Sequence, residues 1–170
     1  MIKIVYQQKI LKLLRSWIKY SKNMFKKKKT IALTLGYAGT IPFICSAILV
    51  WYSNSNNVNF ILNTILVYSY LIITFIGAVY WGVALISEEE NPVKFFPISI
   101  FPFTAVWFIS MINAKTSVKI LVIILIINFF FIIEKYFLNK KSIPKWYFIL
   151  RTKLNIIVTI SLLIILLNLI

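Results

Sequence analysis

Histidine is absent from this 170-residue chain, and four acidic residues stand against 19 lysines and arginines. Without an imidazole there is no ordinary proton shuttle, no His-based zinc site and no common axial haem ligand, and four carboxylates leave little for paired-carboxylate chemistry. The chain also lacks Gly-x-Ser-x-Gly, His-Glu-x-x-His and a Gly-rich phosphate loop after a strand. The single cysteine, Cys45, excludes an internal disulfide and a thiolate metal cluster. An enzyme is therefore not expected, and no catalytic, metal or cofactor-binding residue is assigned.

Charge of any sign is scarce, at 14% of residues against the roughly one quarter that clothes a soluble domain, while 61% of residues are apolar. That composition calls for a lipid bilayer as solvent. Ile, Lys, Asn, Phe and Tyr are abundant while Gly, Ala and Arg are sparse, as AT-rich coding imposes whatever the function. The net charge of +15 does not point to nucleic acid, because the basic residues lie between long apolar runs rather than on a folded polar surface.

Residues 1–29 read as a basic amphipathic arm. From Ile10 onward a helix places Ile10, Leu13, Leu14, Trp17 and Ile18 on one side and Lys9, Lys12, Ser16, Lys19 and Asn23 on the other, the pattern of a helix lying in a membrane interface. Lys26-Lys27-Lys28-Lys29 then resists crossing and attracts anionic headgroups at roughly 1 kcal/mol per charge. An organellar transit peptide is a weaker reading, since those are Arg- and Ser-rich.

The remainder, 31–170, reads as an all-α membrane domain of five transmembrane helices, with spans at about 31–51, 60–86, 95–114, 118–133 and 154–170. Ser53-Asn54-Ser55-Asn56-Asn57 separates the first two, Glu88-Glu89-Glu90-Asn91-Pro92 the second and third, and a polar connector over 139–153 the last two. Alternate loops share a side, and this division puts 17 basic residues on one side and two, Lys115 and Lys119, on the other. The positive-inside rule then predicts the N-terminus inside and the C-terminus outside. Trp51, Trp81, Trp107 and Trp146 include candidate interfacial anchors, with Trp51 and Trp146 best placed.

All four glycines fall in the first two spans, Gly36 and Gly39 in one and Gly77 and Gly82 in the other. At 1.5 Å per residue both pairs lie roughly 6–14 Å from the inner face, so helices one and two are expected to form a tight hairpin there. Gly36 with Thr40, and Ala78 with Gly82, have the small-residue spacing of such a contact. Pro42 in helix one, with Pro97 and Pro102 in helix three, is expected to kink its helix and free backbone carbonyls. Tyr37, Thr40, Tyr70, Tyr80, Ser99 and Thr104 then either satisfy those carbonyls or line a small polar pocket. No Asp, Glu, Lys or Arg lies deep inside the five spans, with Lys119 at the start of the fourth and Glu134 at its far edge, which argues against proton-coupled transport. The acidic cluster 88–90 reads as a solvated loop rather than a metal site.

Three stretches carry a resemblance. Leu35-Gly36-Tyr37-Ala38-Gly39-Thr40-Ile41-Pro42-Phe43, Phe75-Ile76-Gly77-Ala78-Val79-Tyr80-Trp81-Gly82, and Trp146-Tyr147 with Leu150-Arg151 resemble the signatures of the domain of unknown function 3429 family, which includes transmembrane protein 69-like proteins. The likeness covers roughly 33–165, and Ser99 to Met111 also fits the family's Pro- and Trp-bearing helix in outline. The chain departs from the pattern at Tyr80, where His or Arg is expected before Trp-Gly. The resemblance implies a small polytopic inner-membrane protein, bacterial or mitochondrial, and brings no activity with it.

Two functions are therefore expected to compete. The first is a non-catalytic accessory, assembly or structural component that packs against a membrane protein partner, with the Lys-rich arm on anionic lipid headgroups and no role for nucleic acid. The second is a small carrier or lipid-handling protein with a site in the inner-leaflet half of helices 1–3. Gly36, Gly39, Pro42, Gly77, Tyr80, Trp81, Gly82 and Arg151 are the residues on which packing or a pocket would rest. Arg151 is placed to grip a phosphate or the last carbonyls of a neighbouring helix, or to act as a further inside-facing anchor.

Overall fold

The computed structural model describes residues 2–86, 93, 95–137 and 144–170, with side chains from residue 14 onward except those of 55 and 56. The acidic run 88–90 with Asn91-Pro92, residues 139–143 of the connector, and the side chains of Lys9, Ile10, Lys12 and Leu13 lie outside the described residues. Six helices follow in order: α1 (Ile2–Ala38), α2 (Ile41–Tyr52), α3 (Ser55–Ile86), α4 (Phe95–Met111), α5 (Thr116–Phe137) and α6 (Lys145–Asn168). No strand occurs among the described residues. The chain divides into two compact units, Met1–Gly39 and Thr40–Ile170.

Four stretches are long and apolar enough to cross a membrane, Leu14–Tyr52, Asn57–Ile86, Thr116–Tyr136 and Lys145–Asn168, and Phe95–Met111 is a shorter apolar helix. The first span differs from the single helix expected over 31–51. Pro42 has no N–H to give the Ala38 carbonyl, so α1 stops at Ala38 and Pro42 takes a place in the first turn of α2, where a missing donor costs nothing. The Gly39 N–H closes α1 by donating to the Leu35 carbonyl at 3.0 Å, and the Ile44 N–H opens α2 by donating to Thr40 at 3.2 Å. Pro42 is thus a helix start and not a kink.

The last span also differs. It begins at Lys145, directly after Pro144, and not near 154. Charge at Arg151 and Lys153 marked this stretch as connector in the sequence, but a charge that finds a partner inside the bundle does not end a helix. The fourth span likewise runs on through Glu134 to Phe137.

In the second unit α3 packs against α2, α4 and α5, while α6 packs against α2 and α5. Their common core holds Phe43 and Val50 of α2, Ile65 and Ile73 of α3, Ile120, Ile123 and Ile127 of α5, and Leu162 and Ile165 of α6. A second cluster, Ile76, Tyr80 and Ala84 of α3 with Phe95 of α4, lies beside it, and Phe148 of α6 packs against it. The opposite faces are just as apolar: Leu71, Phe75, Phe103, Phe108, Leu125, Phe129 and Leu167 are all exposed. Helices that are hydrophobic all round need an apolar surrounding, and this is the signature of an integral membrane protein.

The α3–α4 contact is made at backbone level. A Cβ on Gly77 would stand 2.5 Å from the Ser99 carbonyl oxygen and 3.0 Å from Pro102 Cγ. Pro102 lies inside α4, so its ring and the preceding carbonyls face a neighbour that has no side chain to oppose them. Gly77 therefore closes on α4. Around Gly82 a Cβ would meet nothing within 4 Å. No described glycine has positive φ, so Gly77 is required for space and not for backbone conformation.

This contrast sets an expectation for two alanine variants. Gly77→Ala must push α4 away or shift the Ser99 carbonyl, at about 1–3 kcal/mol, whereas Gly82→Ala gains up to about 1 kcal/mol of helix propensity. Thermal unfolding in mild detergent is expected to show a clear fall for the first and no loss for the second. Equal behaviour of the two variants would remove the close contact from the account.

Candidate functional site

The α5–α6 pair carries the ionic and most of the polar side-chain contacts between described helices. Glu134 lies one turn before the end of α5 and is 2% exposed, so a charge there requires partners. Arg151 donates from Nε to Glu134 Oε2 at 2.7 Å. Tyr147, four residues earlier on the same face of α6, donates its hydroxyl to Glu134 Oε1 at 3.1 Å. Both carboxylate oxygens are thereby engaged.

Six residues along α5, or about 9 Å, a second polar rung follows. Asn155 Nδ2 donates to Asn128 Oδ1 at 2.9 Å, and Asn128 Nδ2 donates to Thr159 Oγ1 at 3.1 Å and to the Ile124 carbonyl at 2.9 Å. Partners descend on α5 as they ascend on α6, so the two helices are antiparallel. In an apolar surrounding such interhelical bonds fix register, each contributing on the order of 1 kcal/mol.

Tyr80 of α3 completes the first cluster. It is 1% exposed, and its hydroxyl lies within the electrostatic field of Glu134, Arg151 and Tyr147. Its Oη has no hydrogen-bond partner among the described residues, nor has Arg151 Nη2 or Trp146 Nε1, all three of them buried. Three helices thus bring two tyrosines, a carboxylate and a guanidinium together, with donors left over.

With this geometry in view, a family model for a protein of unknown function, DUF3429, matches residues 28–167. The chain belongs to the DUF3429 family. The match includes α2 to α6 almost whole and the last residues of α1, so every member of the Glu134 cluster falls inside the family region. No curated protein and no solved structure matches the chain significantly.

The residues singled out in this DUF3429 chain have separate fates. Gly36 and Gly39 belong to the N-terminal unit, Pro42 to the first turn of α2, and Gly77 to the α4 contact. Gly82 is half-buried with open space over its Cα. Trp81 is 45% exposed and stands edge-on to Phe96 at 5.0 Å between centroids. Tyr80 and Arg151 do come together. Arg151 pairs through Nε with a side chain, Glu134. Ser99 and Thr104 return their hydroxyls to carbonyls of their own helix, those of Phe96, Ile100 and Phe101.

Glu134 was missed as a buried group because it closes an apolar run and reads as the end of a span. A signal was present. Only two of the 19 basic residues are Arg, and Arg151 sits where Lys would anchor equally well. A planar fork retained in a Lys-rich chain points to a carboxylate partner, and Glu134 is the one acidic residue outside the 88–90 cluster.

The pair should behave as a coupled unit. Glu134→Leu or Arg151→Leu alone leaves a buried charge unmatched, at about 3–5 kcal/mol, while the double variant leaves none. A double-mutant cycle read by thermal unfolding in detergent is expected to recover most of the single-variant loss. Strict additivity would show that the two side chains do not depend on each other.

Proposed function

We propose that this chain is a non-catalytic integral protein of a bacterial inner (cytoplasmic) membrane or a mitochondrial inner membrane, an accessory, assembly or structural component that packs against a membrane protein partner. The observation that carries this reading is where the interior polar groups go. Glu134, Arg151 and Tyr147 join α5 to α6, Asn128, Asn155 and Thr159 do the same a few turns away, and Ser69, Ser99 and Ser161 bond their own helices. Groups used this way hold helices together. The filled surroundings of Gly77 favour packing over a carrier cavity at that level.

In this reading five spans cross the bilayer, the first made of the end of α1 with α2. The basic residues divide in favour of an N-terminus inside and a C-terminus outside, even with the buried Arg151 removed from the inside total. The Lys-rich part of α1 acts as a basic amphipathic interfacial helix: Trp17 and Tyr20 are exposed, and Lys26 to Lys29 engage anionic headgroups. The likeness to transmembrane protein 69 favours an inner membrane.

Light crosslinking followed by pull-down of tagged protein from native membranes in mild detergent, read by quantitative mass spectrometry, tests the proposal. One partner at equal stoichiometry is the expected result. A stable monomer that recovers no protein partner would overturn it.

A further inference from the structure

Among the described residues, buried donors without partners gather where α3, α5 and α6 meet. Among the described residues, Tyr80 Oη and Arg151 Nη2 are buried donors without acceptors, and the cluster around Tyr80 packs against Phe148 of α6, the neighbour of Tyr147 and three residues before Arg151. An unmet buried donor is among the costlier features a fold can carry, and two in one cluster call for an acceptor atom. Glu134 does not supply it: its oxygens accept from Arg151 Nε and Tyr147 Oη, and neither Tyr80 Oη nor Arg151 Nη2 reaches them with a hydrogen bond.

We propose that this end of the bundle binds the carbonyl group of a neutral amphiphile, whose oxygen accepts hydrogen bonds from Tyr80 Oη and Arg151 Nη2. The charge of the site selects the ligand class. Arg151 and Glu134 neutralise each other at 2.7 Å, so an anion would face the Glu134 carboxylate without a free cation to offset it, and a cation would face Arg151. A neutral acceptor meets neither repulsion. The surroundings are apolar and aromatic, with Ile76, Ala84 and Phe95 packed around Tyr80 and Phe148 of α6 against them, which matches the apolar body of such a ligand. The Arg151 side chain retains 12% exposure and is the cluster's opening to the surface. Glu134 is three residues from the end of α5, so the carbonyl lies only about 4–5 Å inside the helix end. Two membrane constituents present such a carbonyl on an apolar tail: the ester of a glycerolipid and the ring of an isoprenoid quinone. Binding here goes beyond the accessory role and holds whether or not a protein partner is found.

Full-length protein purified in mild detergent, extracted with organic solvent and analysed by mass spectrometry, tests the site. Wild-type protein is expected to retain one of these amphiphiles near stoichiometrically, and Tyr80→Phe about fivefold less, the scale of one lost hydrogen bond. Tyr52→Phe, at an 86% exposed position, should match wild type. Arg151→Lys keeps a cation for Glu134 but removes Nη2, and should lose the ligand as Tyr80→Phe does. Adding back a neutral diacylglycerolipid or a short-chain isoprenoid quinone to delipidated protein then separates the sources: the one that raises the thermal midpoint of wild type but not of Tyr80→Phe is the ligand. The proposal is overturned if neither does so, if inorganic phosphate gives the same rise, or if Tyr80→Phe is more stable than wild type and retains as much amphiphile.

Discussion

A carboxylate 2% exposed among apolar helices is tolerable only if a cation and a donor meet it, and much of the second unit follows from how Glu134 is met. Arg151 and Tyr147 have to lie on one face of α6, four residues apart, which requires that helix to start before 147. It starts at Lys145. The same pairing fixes α6 antiparallel to α5, and the Asn128–Asn155–Thr159 contacts then hold a register that apolar packing alone leaves loose. Dispersion and shape drive association in lipid, but polar rungs select one sliding position among several of similar energy.

At α3 the determining factor is space and not charge. Gly77 admits the Ser99 carbonyl and the Pro102 ring, so α4, which Pro102 weakens as a hydrogen-bonded helix, is supported along its length by α3. Cα–H to carbonyl contacts of this kind contribute perhaps 0.5–1 kcal/mol each, and close backbone approach adds dispersion around them. Polar pairing at α5–α6 and backbone contact at α3–α4 are thus two different solutions to the same problem, helix association in a medium that offers no hydrophobic effect.

Much of this was legible in the residues. Uncharged apolar runs located the helices α2 to α6, and the three signature stretches named the family that the model of residues 28–167 bears out. Span ends were less legible. A break at Gly39-Thr40 and a start at Pro144 both depend on proline chemistry that hydropathy does not register, and the inclusion of Glu134 and Arg151 within helices depends on each finding the other across 17 residues of sequence. Gly77 was singled out in the sequence, but its partner α4 was not, because spacing along one helix says nothing about which neighbour presents a bare carbonyl. Tyr80 was singled out as a departure from a family pattern, and its place in the Glu134 cluster came only from the fold.

The ion pair also imposes an order on synthesis. α5 precedes α6 along the chain, so Glu134 leaves the ribosome 17 residues ahead of Arg151. During that interval the carboxylate has no cation from its own chain, and lodging a charged acid in lipid costs on the order of 2.5–3.5 kcal/mol at the bilayer centre and less near its edge. The carboxylate therefore stays at the interface until the next helix arrives. α5 and α6 then reach their final depth together as a hairpin, and a chain cut between 137 and 151 would leave α5 only partly committed.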